Sequence, residues 1–330
     1  MTALYDVAAI GNAIVDVIAP CEDDFLTREG LVKGSMELID EARAVDLYSR
    51  MAPGMETSGG SAGNTVAGAA SLGGRAAYIG KVAADQLGDV FEHDMRAIGV
   101  AFDTPRLTNG PATARCLINV TDDGQRTMCT FLGASTELTA ADVRPEIVEA
   151  ASIVYLEGYL FDPSEARRAF AKAAGLARAS SRLITITLSD AFVVERHRGA
   201  LLGFIETECD IVLANEVEVK ALFETDDFDA AVAALGERAR ICAVTRGEKG
   251  SFVLAGGQSH AIAAVPVEKV VDTTGAGDQY AAGFLLGLAW GRSLEICGRL
   301  GALAAAEVIS HYGPRPRVSL ADLARAEGLI

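Results

Sequence analysis

The stretch Glu268-Lys269-Val270-Val271-Asp272-Thr273-Thr274-Gly275-Ala276-Gly277-Asp278-Gln279-Tyr280-Ala281-Ala282-Gly283-Phe284 decides how the rest of the chain is read. Glu268 to Val271 is patterned like a strand, and a helix pattern starts at about residue 276 and runs to about 290. Between them, Gly275 and Gly277 let the backbone turn so that its N–H groups converge at a helix N-terminus. That end carries partial positive charge and unsatisfied donors, which suits a phosphoryl group. Asp278 falls in the first helical turn, beside this anion site. A carboxylate there can take a proton from a hydroxyl while the N–H groups hold the charge that develops on phosphorus. Gly275-Ala276-Gly277 continues as Asp278-Gln279-Tyr280, so the third glycine of a dinucleotide fingerprint is missing, which speaks against a dehydrogenase. No GxxxxGK[ST] occurs, so any ATP is held without a P-loop.

Outward from this stretch, strand and helix patterns alternate. Strands are expected at 5–10, 76–79, 153–156, 183–188, 211–214, 241–245, 251–255 and 259–265. Helices are expected at 41–51, 63–72, 85–99, 164–180, 192–207, 276–290 and 294–310. Such alternation implies βαβ units and a mainly parallel sheet. One stretch differs: Arg115 to Val120 and Arg126 to Leu132 are β-patterned around Thr121-Asp122-Asp123-Gly124-Gln125, a hairpin signal. With residues 12–40, which are poor in helix signals, the hairpin suggests a small β-rich lid beside the sheet. The expected division is a large α/β domain of residues 1–11, 41–105 and 135–330 and a lid of 12–40 and 106–134.

Composition narrows the classes. In 330 residues, 29 Lys and Arg against 45 Asp and Glu leave a net charge of −16, which argues against a nucleic-acid footprint. No run of 18 apolar residues occurs, so no membrane span is expected. The first residues carry Asp6 and Asp16 without a basic segment, unlike a signal peptide. Six scattered cysteines and four histidines show no ligand spacing. That pattern reads as a cytoplasmic protein with reduced thiols and no structural zinc.

Four further motifs sit where open α/β sheets bind ligands. Ser58-Gly59-Gly60-Ser61-Ala62-Gly63-Asn64-Thr65 opens a small-residue helix, and Asn64 offers a donor and an acceptor to vicinal hydroxyls. Gly11-Asn12-Ala13-Ile14-Val15-Asp16 follows the first strand. Asn215-Glu216-Val217-Glu218 places Asn215 and Glu218 on one helical face, where they could cap the helix or orient a Mg²⁺ shell. Thr245-Arg246-Gly247 ends a strand.

These motifs, in this order, resemble the ribokinase-like (PfkB-type) kinase family over essentially the whole chain. The resemblance implies a three-layer α/β/α domain with a mainly parallel sheet and a small β lid. It implies ATP and Mg²⁺ as cofactors, with Asp278 as catalytic base and Gly275, Ala276 and Gly277 as the anion hole. Asn215, Glu218, Thr245, Gly247 and Thr274 would serve the nucleotide, with Glu218 reaching Mg²⁺ through water. Asp272 is the candidate for a potassium ion. Asn12, Asp16, Gly59, Gly60, Ser61, Asn64 and Tyr159 would hold the acceptor, and Arg126 matches a family arginine near the transferred phosphate. Gly-Gly-Ser-x-x-Asn resembles the adenosine kinase branch. Met36, Leu38, Cys116, Met128 and Leu132 match the lid positions that flank the base there, and an apolar slot suits a purine. The expected acceptor is the 5′-hydroxyl of a nucleoside, adenosine above others, with a fructokinase- or ribokinase-type sugar kinase as the alternative. A monomer or homodimer acting on a small molecule is expected.

Overall fold

The computed structural model describes residues 3–330; residues 1 and 2, where the expected large domain opens, lie outside the described residues. A nine-stranded sheet forms the centre. From one edge its strands run Gln258–Ile262, Ser251–Ala255, Ile241–Thr245, Ile211–Asn215, Leu183–Thr187, Ala151–Glu157, Tyr5–Ile10, Ala76–Ile79 and Ala101–Phe102. The seven from Ile241–Thr245 onward are mutually parallel, and the first two form an antiparallel hairpin at the edge. Val, Ile and Ala fill the central strands because helices cover both faces. One face packs on Ser164–Ala179, Ala191–Glu208, Glu216–Phe223 and Phe228–Gly236. The other packs on Ser61–Ser71, Gln86–Ala97, Ala276–Ala289 and Leu294–Ile309. This is the ribokinase-like three-layer α/β/α arrangement.

The second sheet has five strands, in the order Met36–Leu38, Arg126–Phe131, Ala114–Val120, Ile14–Pro20 and Met55–Gly59. The hairpin around Gly124 is present and antiparallel. One face of this sheet closes over Val17, Phe25, Leu26, Leu31, Leu47, Leu117 and Cys129. Two expectations about this part change. Residues 41–105 were assigned to the large domain, but Met55–Gly59 pairs with Ile14–Pro20 in the small sheet, and Leu47 of the helix Glu41–Arg50 packs in its core. Residues 12–40 are not free of helix: Asp23–Glu29 is helical, with two acids in its first turn and Gly30 left-handed at its end.

A third correction concerns the lead-in to the central motif. Glu268 to Val271 forms no strand; Val271 N donates only to Ile309 O, and Val270 is exposed. The end of the Leu294–Ile309 helix takes the Val271 N–H, and among the described residues neither sheet has a strand paired with these residues.

Candidate active site

From the first strand the chain goes on to Ala76–Ile79 on one side, whereas from its other neighbour, Ala151–Glu157, it goes on to Leu183–Thr187 on the opposite side. That switch point opens a crevice at the carboxyl ends of the strands. Asn12 follows the first strand there, and Glu157 ends the next.

The helix Ala276–Ala289 starts in this crevice. Gly275 is its N-cap, with φ 79°, and a β-carbon at that position would lie 2.7 Å from Pro314 backbone. Conformation and space therefore both require glycine. The first intrahelical bond is Gln279 N to Gly275 O at 2.8 Å, so the N–H groups of Gly277 and Asp278 precede it. Gly277 is exposed at this end. Asp278 stands at N3. Its Oδ1 accepts from Ser61 Oγ at 2.6 Å and its Oδ2 from Asn64 Nδ2 at 3.1 Å. Burial pushes Asp278 up to about 6, against the lowering effect of these two hydrogen bonds.

Ser61 and Asn64 stand on the helix Ser61–Ser71, whose N-cap is Gly60. Gly60 has φ 80°, and a β-carbon there would meet Asn12 O at 2.3 Å. The two expected acceptor loops are thus packed backbone to backbone. Asp16 lies against Gly59. Burial raises it to about 7, with Arg315 and Arg126 pulling it down and Asp278 pushing it up. Tyr159, on the turn Gly158–Phe161, is partly exposed; burial first, then Asp190, Glu157, Asp278 and Glu218, raise its hydroxyl. It lies between the two halves of the crevice.

The register of the small sheet places the expected lid residues on one face. Asp16 pairs with Cys116, Cys116 with Thr130, and Thr130 with Leu38. Two residues along, Met55, Ile18, Ile118, Met128 and Met36 form a parallel row. Side chains alternate faces along a strand, so both rows face the same way as Asp16. Arg126 is on this face too. Met36 and Leu38 are 52% and 62% exposed, so the expected slot is an open apolar shelf rather than a closed pocket. Leu132 lies past the end of its strand, half-buried.

Arg126 joins the shelf to the anion site. Its Nη2 lies 2.8 Å from Asp272 Oδ2 as an ion pair without hydrogen-bond geometry, and none of its side-chain nitrogens has a hydrogen-bond partner among the described residues. The Asp272 carboxylate also receives Thr274 N, Thr274 Oγ1 and Gly313 N. These contacts tie the carboxylate to the loop that leads into the helix, and the Thr274 hydroxyl, donating to Asp272, keeps its acceptor side.

Across the crevice, Asn215 and Glu218 cap their helix reciprocally. Asn215 Oδ1 accepts from Glu218 N at 2.8 Å, while Glu218 accepts from Asn215 N at 2.9 Å and Asn215 Nδ2 at 2.6 Å. Burial pushes Glu218 up to about 7, with Asp190 adding to the rise. Each Glu218 oxygen keeps one acceptor direction for a metal-bound water. Among the described residues no cluster of three or more His, Cys, Asp or Glu could hold a metal by itself, so a Mg²⁺ ion here would rest mainly on phosphates and water. Asn215, Thr245 and Gly247 line one open cavity of about 640 Å³ with Lys220 and Arg246.

Sequence reasoning missed Glu157. This buried carboxylate accepts from Asn12 N at 3.3 Å, Asn12 Nδ2 at 2.8 Å and Ala62 N at 2.9 Å, and burial lifts it to about 7. It ties the first-strand loop to the start of the Ser61–Ser71 helix. Gln279 was missed as well; its Nε2 donates to Asn64 O and Pro314 O, both at 3.0 Å. Neither shows a local signal, because their partners are distant in the chain.

An open α/β sheet with a lid, a helix N-terminus that can take a phosphoryl group, and a carboxylate beside it define a phosphotransferase acting on an alcohol group. The chain belongs to the pfkB family of carbohydrate kinases, whose pattern matches residues 6–319. It is 54% identical to an adenosine kinase from Sinorhizobium meliloti of known crystal structure, over 98% of this chain and 100% of that one, with a TM-score of 0.91. A probable sugar kinase from Rhizobium etli CFN 42 is 49% identical over all of both chains, with a TM-score of 0.93. Adenosine kinase 2 of Arabidopsis thaliana is 26% identical over 328 residues, covering 92% of this chain and 93% of that protein. Among the described residues no helix is long and apolar enough to cross a membrane.

Proposed function

We propose that the protein transfers the γ-phosphoryl group of ATP to the 5′-hydroxyl of adenosine, yielding AMP and ADP. The observation that carries the reading is Asp278: its carboxylate stands at the first turn of the Ala276–Ala289 helix, bonded to Ser61 and Asn64. The 5′-hydroxyl gives its proton to Asp278 as its oxygen bonds to the γ-phosphorus, and the bond from phosphorus to the β–γ bridging oxygen breaks. The Gly277 and Asp278 N–H groups stabilise charge on the transferring group, and the Arg126 guanidinium, paired with Asp272, adds positive charge beside it. Glu218 would hold a nucleotide-borne Mg²⁺ through water, and the ion would supply further neutralisation of the phosphates.

Asn12, Asp16, Gly59, Gly60 and Asn64 take the ribose, and the purine lies on the shelf of Ile18, Met36, Leu38, Cys116, Ile118 and Met128. Asn215, Thr245 and Gly247 hold the nucleotide. Adenosine is favoured over a sugar because the shelf extends apolar surface away from Asp16, where a sugar has nothing to bury. The adenosine kinases from Sinorhizobium meliloti and Arabidopsis thaliana support the same acceptor. The open shelf and the Rhizobium etli relative keep a sugar acceptor as the second reading.

The test is product identification. Enzyme, MgATP and adenosine should give AMP, with phosphorus coupled to the 5′ protons by NMR. ADP release stimulated by ribose or fructose but not by adenosine overturns the reading.

A further inference from the structure

One charged side chain at the acceptor end belongs to none of the motifs. Arg315 sits beyond the helix Leu294–Ile309, next to the Pro314 that packs on Gly275. Its Nη1 donates to Ser58 Oγ at 2.8 Å, its Nε faces Asn64 Oδ1 at 3.4 Å, and its Nη2 is sealed from solvent with no partner.

A guanidinium donates from every nitrogen and accepts at none. Asn64 must therefore turn its oxygen toward Arg315, which leaves its Nδ2 for Asp278 Oδ2 at 3.1 Å. An amide has nearly the same shape in either orientation; the donor-only Arg315 at one end and the acceptor-only Asp278 carboxylate at the other select the same one. The same guanidinium faces two carboxylates by charge, Asp16 from the lid and Asp94 from the helix Gln86–Ala97. Asp94 is anchored by Ser58 N at 2.8 Å, so Ser58 contacts both partners. Burial draws Arg315 below the usual arginine range, and its charge is the largest influence that opposes burial at Asp16.

We propose that Arg315 is a positioning residue for the acceptor's vicinal hydroxyls: with Asp278 at the other end, it holds the Asn64 amide in the orientation that receives them. The proposal rests on the reading of Asn64 and Asp16 as hydroxyl-binding groups given under Proposed function. It assigns work to a loop that none of the sequence motifs includes.

The experiment measures kcat and KM for adenosine, 2′-deoxyadenosine and 3′-deoxyadenosine with saturating MgATP. Parent, Arg315→Met and Arg315→Lys are compared, with thermal unfolding of each. For Arg315→Met, KM for adenosine should rise about 10-fold or more while kcat changes less, the pattern of lost binding rather than lost chemistry. Against each deoxynucleoside the same substitution should cost clearly less than against adenosine, about 3-fold, because one of the two hydroxyls it acts through is gone. Arg315→Lys, which keeps the charge and loses the fork, should fall between. Equal losses on all three acceptors, or an unchanged KM for adenosine, would overturn the proposal and return Arg315 to a packing role. If Arg315→Met does not fold, Arg315→Lys decides by the same ratio. A parent that accepts only a sugar would defeat the nucleoside reading, and Arg315 would then be judged on that sugar against its deoxy forms.

Discussion

Replacing Asp278 by Asn should leave a protein that is inactive and more stable than its parent. The carboxylate is lifted from 3.8 to about 6 by burial. Two units at 1.36 kcal/mol each amount to about 3 kcal/mol, and partial exposure of the group lowers this to about 2. The sign follows from linkage. A group whose folded pKa lies above its unfolded value disfavours the anion in the fold. The penalty is absent below pH 3.8, grows up to about 6 and is full above it. The amide fits the same place, because its oxygen can accept from Asn64 Nδ2 while its NH₂ donates to Ser61 Oγ. At pH 8 Asp278→Asn should therefore melt several degrees higher, and the gap should close toward pH 4. Turnover should drop on the order of 10²-fold or more, in kcat rather than KM, with adenosine binding nearly intact. In the parent, kcat should fall with an acid limb near pH 6 that the variant lacks. Calorimetry across pH, titration calorimetry with adenosine, and coupled ADP release supply the three readings. A variant with parental kcat refutes the assignment of Asp278, and one that is less stable at pH 8 refutes the burial argument.

Other outcomes follow from particular contacts. Glu218→Gln should raise the Mg²⁺ concentration for half-maximal rate by about 10-fold, as loss of a second-shell partner does; an unchanged titration leaves Asn215 and Glu218 as helix caps only. Leu38 stands three strand spacings from Asp16, about 14 Å away, at the far end of the shelf. Being 62% exposed, it should accept Asp without loss of stability, while adenosine phosphorylation falls far more than any sugar phosphorylation; equal losses would contradict the shelf. Glu157→Ala orphans Asn12 N, Asn12 Nδ2 and Ala62 N while removing a strained carboxylate. Stability should fall by roughly 2–4 kcal/mol, measured by urea unfolding, and an unchanged midpoint would show that water replaces the carboxylate.

The readable parts of this chain are those whose chemistry is contiguous. Gly275 to Asp278 announces its turn, helix start and carboxylate within four residues, and Asn215 and Glu218 announce a helix cap at one-turn spacing. The lid hairpin shows through alternation and its Asp-Gly turn. What the sequence hides is settled by partners far along the chain. Met55–Gly59 contains Thr, Ser and Gly, and becomes a strand only because Ile14–Pro20 lies alongside. Val270 and Val271 have the opposite fate, β-prone residues with no edge to join. Glu157 bonds residues 145 and 95 positions away, and Arg315 reaches Asn64 across 251. A lone Glu after an apolar run, or an Arg between two prolines, carries no local mark of such a role. The neighbours of Asp272 could not be read until Gly313 and Arg126, 41 and 146 positions away, were placed beside it.

The central claim is that the lid shelf holds a purine while Asp278 activates a 5′-hydroxyl. The most direct measurement is kcat/KM with MgATP for adenosine, guanosine, ribose and fructose under one set of conditions. Burial of apolar surface contributes about 25 cal/mol per Å², so a purine on the shelf is worth several kcal/mol that the sugars cannot gain. The account predicts adenosine ahead of ribose and fructose by at least about 10²-fold. Ribose or fructose ahead of both nucleosides would contradict it.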